Sequence, residues 1–407
     1  MSLPLRPIFS ALLRNRTGAL LVALQVAIAL AVLVNAVYIV KQRVDRIGRP
    51  TGLDIPNQFV LTSRGFGPNY NERATIEEDL AYLRGVAGVL AATAINSIPL
   101  SGSGSATGID TVPNERASGK LGNYFEIDEQ GLAALGVRLI AGRNFRHDEI
   151  LPQLDKGQRS AFVPEVILTR EFAEALFPGR NALGATIYGE NNEPATVIGI
   201  VDLMQGTWSY SLLEDYVFFE PRIAYTWGGD MNYLVRTRPG QRDAIMRQVE
   251  EHLSSSNPNR VIESIHSMQQ YKNDAYRADR NMAIYLVTVT VLMVAITCLG
   301  IFGLATFNVS TRTKQIGTRR AVGARRRDIV RYFMVENGLI TSGGVLVGCA
   351  LALGVGYWLS LTYQLPRLDL YYLVGGIVAL WTVGQLAAWQ PARRAARISP
   401  SIATRTV

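Results

Sequence analysis

The chain has 407 residues, of which 48% are hydrophobic and only 18% charged, with a formal net charge of +8. It is too long for one ordinary domain and too apolar for a wholly soluble protein. The basic balance does not point to nucleic acid, because the net positive charge comes from three short stretches beside apolar runs.

Residues 1–16 carry Arg6, Arg14 and Arg16 and are followed by 24 uncharged residues, 17–40. A helix needs about 20 apolar residues to cross the hydrocarbon core. Residues 281–311, 337–366 and 370–392 are also free of charge. Four transmembrane helices are therefore predicted, at 17–40, 281–308, 333–360 and 370–390. The first has the basic flank and the weak cleavage-like site (Val34, Asn35, Ala36) of a signal peptide, but its apolar run is too long, and it reads as a signal anchor.

Residues 41–280 form the large segment between the first two spans. Residues 57–63 read as a strand, 72–84 as a helix with Ile76, Leu80 and Leu83 on one face, and 88–95 as a strand. The Gly/Ser-rich residues 101–108 read as a loop. A second unit is expected at about 122–206. It has a short helix at 131–135, a strand at 165–168, a helix at 171–176 stopped by Pro178 and Gly179, and a β-branched strand at 195–201. Residues 216–219 and 233–237 read as strands returning to the first unit, with a helix at 241–253. The expectation is an α/β domain with a second lobe inserted in it. From about Ile262 the pattern turns helical. No Gly or Pro lies between Asn259 and Leu299, so one unbroken stalk helix is predicted to run into the second span. The 31 uncharged residues would span ~46 Å against a ~30 Å core.

The loop 309–332 holds eight basic residues and one acid, Asp328, and the tail 391–407 adds Arg393, Arg394, Arg397 and Arg405. Residues 41–280 hold 25 basic and 30 acidic residues. Lys and Arg mark cytoplasmic segments, so both termini and the 309–332 loop are expected in the cytoplasm. Segment 41–280 and the short 361–369 loop are expected outside. Cys298 and Cys349 fall in predicted spans and read as packing residues.

Nucleotide chemistry is missing from the sequence. It contains no G-x-x-x-x-G-K-[ST] phosphate loop, and His147, His252 and His266 lack metal-ligand spacing. No cofactor is expected in this chain. Mid-span Asp, Glu, Lys and Arg are absent too, which argues against an ion-driven carrier.

The loop itself reads RTKQIGTRRAVGAR from Arg312 to Arg325. Its spacing fits a short interfacial helix interrupted by Gly317 and Gly323. Charge alone would make it a topology device that touches anionic lipid. The order of residues goes further and resembles the R-x-x-E-I-G-x-R-x-A-x-G-A loop of the MacB/FtsX family of ABC-transporter permeases. It matches at Arg312, Ile316, Gly317, Arg319, Ala321, Gly323 and Ala324, and departs at Gln315, where the family usually has Glu. Residues 391–403 (PARRAARISPSIA) resemble the family's tail, and Glu336 sits at the start of the third span as in the family. Residues 123–126 (NYFE), 135–145 (LGVRLIAGRNF), 168–179 (LTREFAEALFPG), Leu183 with Gly184, and 197–202 (VIGIVD) follow its periplasmic pattern.

The resemblance implies a membrane α-helical protein of the bacterial inner membrane, with four transmembrane helices and a large α/β periplasmic domain of two lobes between helices 1 and 2. It implies a permease that converts the ATP-driven motion of a partner P-loop ATPase into periplasmic movement, termed mechanotransmission. ATP and Mg would bind in that partner, so the chain is not itself expected to be an enzyme. Gln315, Arg320 and Arg325 join the matched residues as the expected docking loop. A second permease copy or paralogue would complete a dimer. Efflux through a periplasmic adaptor and an outer-membrane channel is the expected role, with lipoprotein extraction or FtsX-like regulation of a cell-wall enzyme as alternatives. Gly344 and Gly348 form a GxxxG pattern that allows close helix approach, at a subunit interface or within the chain.

Overall fold

The computed structural model describes residues 16–68, 70–113, 119–152, 163–189, 191–209, 215–223, 230–363 and 368–399. The ends of the predicted cytoplasmic segments, with Arg6, Arg14 and Arg405, lie outside these residues, as do residues 364–367 of the 361–369 loop. The chain divides into two compact units, one of residues 49–278 and one of the segments on either side.

Helix α1 (Arg16–Gly48) continues beyond the uncharged run that predicts it. An apolar run marks where a helix can meet lipid and does not mark where its hydrogen bonds stop. Lys41 pairs with Asp45 one turn on, which favours continuation. Val22, Val26, Leu30 and Val34 form a buried stripe at four-residue spacing.

The soluble unit is built on two sheets. Its elements in chain order are β1 (Gln58–Gly65), α2 (Glu72–Gly85), β2 (Val89–Ile95), β3 (Ala106–Ile109), β4 (Lys120–Ile127), α3 (Gly131–Leu135), β5 (Leu139–Gly142), β6 (Glu165–Thr169), α4 (Arg170–Leu176), β7 (Thr186–Tyr188), β8 (Pro194–Val201), β9 (Val217–Pro221), β10 (Asp230–Thr237), α5 (Arg242–Ser256), β11 (Arg260–Ser267) and α6 (Met268–Ala275). The first sheet has the order β11-β1-β10-β2 and is antiparallel throughout. The second has the order β3-β4-β9-β6-β8-β5, with β7 paired to β8.

Alternation along the strands builds three apolar layers. Phe59 and Leu61 of β1 pack with Ile76, Leu80 and Leu83 of α2 and Val249 and Leu253 of α5. Val60, on the opposite face of β1, packs with Leu234, with Leu132 and Leu135 of α3, and with Phe125, Ile167 and Phe219 of the second sheet. Phe218 faces the other way and packs with Phe172 and Leu176 of α4. The two lobes thus share a continuous core.

That arrangement corrects the predicted limits of the inserted lobe, 122–206. The second sheet begins at β3, within the stretch expected to be a loop, and ends with β9, expected in the first lobe. β9 runs parallel to β4, with Asn123 opposite Val217 and Phe125 opposite Phe219. A short apolar strand does not encode its partner, and burial of Phe218 and Phe219 on the two faces of the second sheet decides the matter.

The stalk prediction is corrected as well. Residues 260–267 form β11, an edge strand paired with β1. Val261, Ile262 and Ile265 match helical spacing, but strand addition to β1 wins. The chain turns helical at Ser267, whose hydroxyl accepts from the Gln270 N–H while the Gln270 side chain accepts from the Ser267 N–H. This capping box starts α6. Helix α6 stops at Tyr276, which is buried and donates its hydroxyl to Gln205 Oε1 at 2.9 Å.

Helix α7 (Arg277–Thr311), helix α8 (Thr313–Ala321), helix α9 (Arg326–Tyr363) and helix α10 (Leu370–Ala395) complete the chain. With α1, helices α7, α9 and α10 are long and apolar enough to cross a membrane. The stripe of α1 packs with Ile301 of α7, Ile340 and Val345 of α9, and Leu373 and Leu380 of α10. The first turns of α9 fill part of the predicted 309–332 loop. α10 runs through Pro391, where the tail was expected to begin. Pro391 removes one backbone donor, a loss that a packed membrane helix tolerates.

Candidate functional site

The α7–α8–α9 elbow is held together by groups far apart in sequence. Arg312, between α7 and α8, donates from Nη1 to both carboxylate oxygens of Glu336, at 3.0 and 3.1 Å. Glu336 lies about three turns into α9 and is 3% exposed. A carboxylate so deep in an apolar helix needs a paired cation, and Arg312 supplies it while fixing the start of α8 against α9.

Helix α8 is a short amphipathic element. Ile316 and Gly317 face inward. Ile316 packs with Ile329 and Phe333 of α9 and with Ala392, Ala395 and Ala396 at the end of α10. The helix runs through Gly317 without the predicted interruption, because a mid-helix glycine costs only ~1 kcal/mol and tertiary packing offsets it. The break comes at Gly323, whose φ of +99° is a left-handed conformation that an L side chain resists. Around it the Gly323 N–H donates to Arg320 O at 3.2 Å and the Ala324 N–H to Arg319 O at 3.0 Å, a helix-ending pattern of the Schellman kind. The Arg325 N–H then donates to Asp328 Oδ2 at 3.0 Å, which starts α9.

The outer face carries Gln315, Thr318, Arg319, Ala321, Val322 and Arg325, all exposed, with Arg320 and Ala324 half-buried. The Arg319 guanidinium lies over the Tyr332 ring at 4.9 Å, a cation–π contact that limits its freedom. Val322 is 85% exposed, an apolar knob between cations. The surface combines fixed positive charge with a small apolar projection, complementary to an apolar notch rimmed by carboxylates. Gln315 contributes a neutral amide. Val322 and the Arg312–Glu336 pair were not selected from the sequence. An isolated acid at the edge of an apolar span, with an arginine near the end of the preceding one, was the available signal for the pair.

Gly344 and Gly348 lie elsewhere. A Cβ on Gly344 would come within 2.6 Å of Ala23 O, and one on Gly348 within 3.0 Å of Ala27 Cα and O. Their absent side chains let α9 meet α1 of the same chain nearly backbone to backbone.

In the soluble unit a second group of charges is buried. Glu126, Glu220 and Arg222 are each almost inaccessible, and Arg222 Nε lies 3.7 Å from Glu126 Oε1. Burial, reinforced by the Glu126 carboxylate, pushes the Glu220 carboxyl up to about 8 against the opposing pull of Arg222.

Comparison with known proteins adds two matched families. Residues 19–252 match the MacB-like periplasmic core domain, and residues 287–400 match the FtsX-like permease C-terminal domain. The macrolide export ATP-binding/permease protein MacB of Chromobacterium violaceum is 24% identical over 305 residues, covering 72% of this chain and 46% of that protein. MacB of Escherichia coli K12 is 25% identical over 291 residues, covering 70% and 42%. The uncharacterized ABC transporter permease YknZ of Bacillus subtilis is 24% identical over 273 residues and covers 66% of each chain. This chain thus spans less than half the length of these MacB proteins. The crystal structure of the periplasmic region of MacB from Actinobacillus actinomycetemcomitans matches 55% of this chain and 94% of its own, at 18% identity and a TM-score of 0.35.

Proposed function

The chain belongs to the MacB/FtsX-like family of ABC permeases, and from that premise we propose that it couples a separate ATPase to movement of its periplasmic unit. The observation that carries the proposal is the construction of the elbow. Helix α8 presents Arg319 and Val322 outward while Ile316 and the Arg312–Glu336 pair lock it to α9 and α10. A partner that moves α8 therefore moves the ends of three long helices. One of them, α7, is a single 35-residue helix whose first residue follows Tyr276 of the soluble unit. Hydrogen-bonded helix transmits displacement where a flexible linker would absorb it.

In this reading the loop and both termini face the cytoplasm of the inner membrane. The ATPase, with ATP and Mg, acts in trans on α8, and a second permease copy or a paralogue completes the assembly. Export of a periplasmic substrate through an adaptor and an outer-membrane channel fits the relatives whose names specify macrolide export.

A photo-reactive residue at Thr318, exposed on α8, is expected to capture a P-loop ATPase from native membranes. Arg319→Glu should abolish the stimulation of that ATPase by the permease while membrane insertion stays normal, because it reverses the charge held over Tyr332. Capture of lipid alone, or an unchanged ATPase rate in the charge-reversed variant, would rule out docking on α8.

A further inference from the structure

Helices α9 and α10 run antiparallel, and their basic ends line an open groove of about 1130 Å³ on the side of α9 away from the Arg319–Tyr332 contact. Sites for small organic ligands typically enclose ~300–1,000 Å³, so the space is large enough for a bulky ligand. Its mouth is formed by Arg326, Arg327 and Arg331 from α9 and Arg393 and Arg397 from α10. All five are exposed, and no Asp or Glu is among the residues lining the groove.

Two of these arginines, Arg326 and Arg327, occupy the first turn of α9, where the helix dipole disfavours cations. Five like charges brought to one rim by two helices favour an anion there. Just below the mouth, Trp389 lies under the Arg393 guanidinium, 4.9 Å from ring centroid to Cζ. Deeper in, the lining becomes Met334, Val335, Leu339 and Trp381. Gly338 and Ser342 keep the floor low. Gln385 Nε2 lies against Gly338 and is a buried donor without an acceptor among the described residues.

The gradient has a length scale. From Arg331 to Ser342 the groove descends about 16 Å along α9, close to one leaflet of a ~30 Å hydrocarbon core. Charge at the rim, an indole beneath it and an apolar channel one leaflet deep match a phospholipid. They do not match a soluble anion, which would leave the channel unfilled, or an acidic peptide, which would not descend into it.

We propose that the groove between α9 and α10 binds one anionic phospholipid, its headgroup phosphate among Arg331, Arg393 and Arg397 and one acyl chain running past Trp389 toward Ser342. The Gln385 amide then meets the ester oxygens of the glycerol backbone. The site is separate from the face of α8 that receives the motor.

The test uses the full chain purified in detergent and titrated with phosphatidylglycerol, phosphatidylethanolamine or inorganic phosphate, with bound ligand read by native mass spectrometry. Phosphatidylglycerol should be retained more tightly than phosphatidylethanolamine. Arg331→Gln, Arg393→Gln and Arg397→Gln should each weaken it by ~5-fold. Arg394→Gln, at an exposed position outside the groove, should leave it unchanged. Ser342→Trp plugs the apolar end while keeping all five guanidiniums and should also weaken retention. Equal effects of Arg331→Gln and Arg394→Gln would mean general surface charge and overturn the site. Displacement of phosphatidylglycerol by equimolar inorganic phosphate would reduce it to an anion site without an acyl chain. Loss of dimer in Ser342→Trp with lipid retention intact would make the groove a protein interface and overturn the proposal.

Discussion

Glu220 is a carboxyl that the fold keeps from water, on β9 at the centre of the soluble unit's second sheet. Its ordinary value is 4.5 and its value in the fold is about 8. Between those limits the folded protein holds a proton that the unfolded chain has released. Stability linked to this group is therefore fully present below about pH 4.5 and is lost as pH rises through about 8. Glu220→Gln mimics the neutral form at every pH. The thermal midpoint of the soluble unit should fall between pH 6 and pH 8 in the native chain and fall less in the variant. Identical slopes in the two would mean that Glu220 is already ionised. None of this was legible in the sequence, because Glu220 stands in an apolar stretch (VFFEP) whose partner strands were unknown. The Arg312–Glu336 pair was half legible. Each residue was noted for its place in a motif, but 24 positions separate them, and only the α7–α8–α9 turn brings them together.

Elements repeat the pattern at larger size. The GxxxG of α9 was visible as a capacity for close approach, while its partner was not. The two alternatives, a second subunit or the same chain, differ only in tertiary structure, and the fold assigns both glycines to α1. Gly348→Ala would place a methyl group against the backbone of Ala27, and overpacking of this kind costs about 1–3 kcal/mol. Gly343 lies in the same helix with nothing within 4 Å of its absent Cβ. Gly343→Ala should be neutral or slightly stabilising. Thermal unfolding of the two variants in the same detergent measures the contrast, and equal midpoints would show that α9 does not depend on this contact. β11 shows the opposite failure. Its apolar spacing was read as helix although Ser267 and Gln270, three apart, carried the capping signal for a helix beginning only there. The strand became certain only through its pairing with β1, some 200 residues earlier in the chain.

For the whole molecule, the four spans and a two-lobed α/β unit between the first two were readable from charge-free runs and alternating strands, since bilayer thickness and the pleat impose them directly. The boundary between the lobes was not, because Phe125, Ile167 and Phe219 of one sheet share their core with Val60 and Leu234 of the other. Both edge strands and both central strands of the first sheet lie within residues 49–278. Among the described residues, the strand pairing of that sheet is therefore complete before the chain leaves the soluble unit. A chain truncated after residue 311, made in membranes, should yield a protease-resistant fragment spanning 49–278. Digestion at the rate of an unfolded control would show that the remaining spans are required first.

The close approach of α1 and α9 has a consequence for synthesis. The surface of α1 that receives Gly344 and Gly348 is synthesised before its cover, which arrives more than 300 residues later. At ribosomal speeds of ~5–20 residues per second, α1 spends some tens of seconds in the bilayer before the glycines that fit it exist. Its buried stripe of Val26, Leu30 and Val34 must be tolerable to lipid during that interval, which explains why the stripe is entirely aliphatic. Asn35, whose amide donates to Ala31 O and Ala352 O, has one of those acceptors within α1 itself, so the nascent helix can hold that polar group until α9 is delivered.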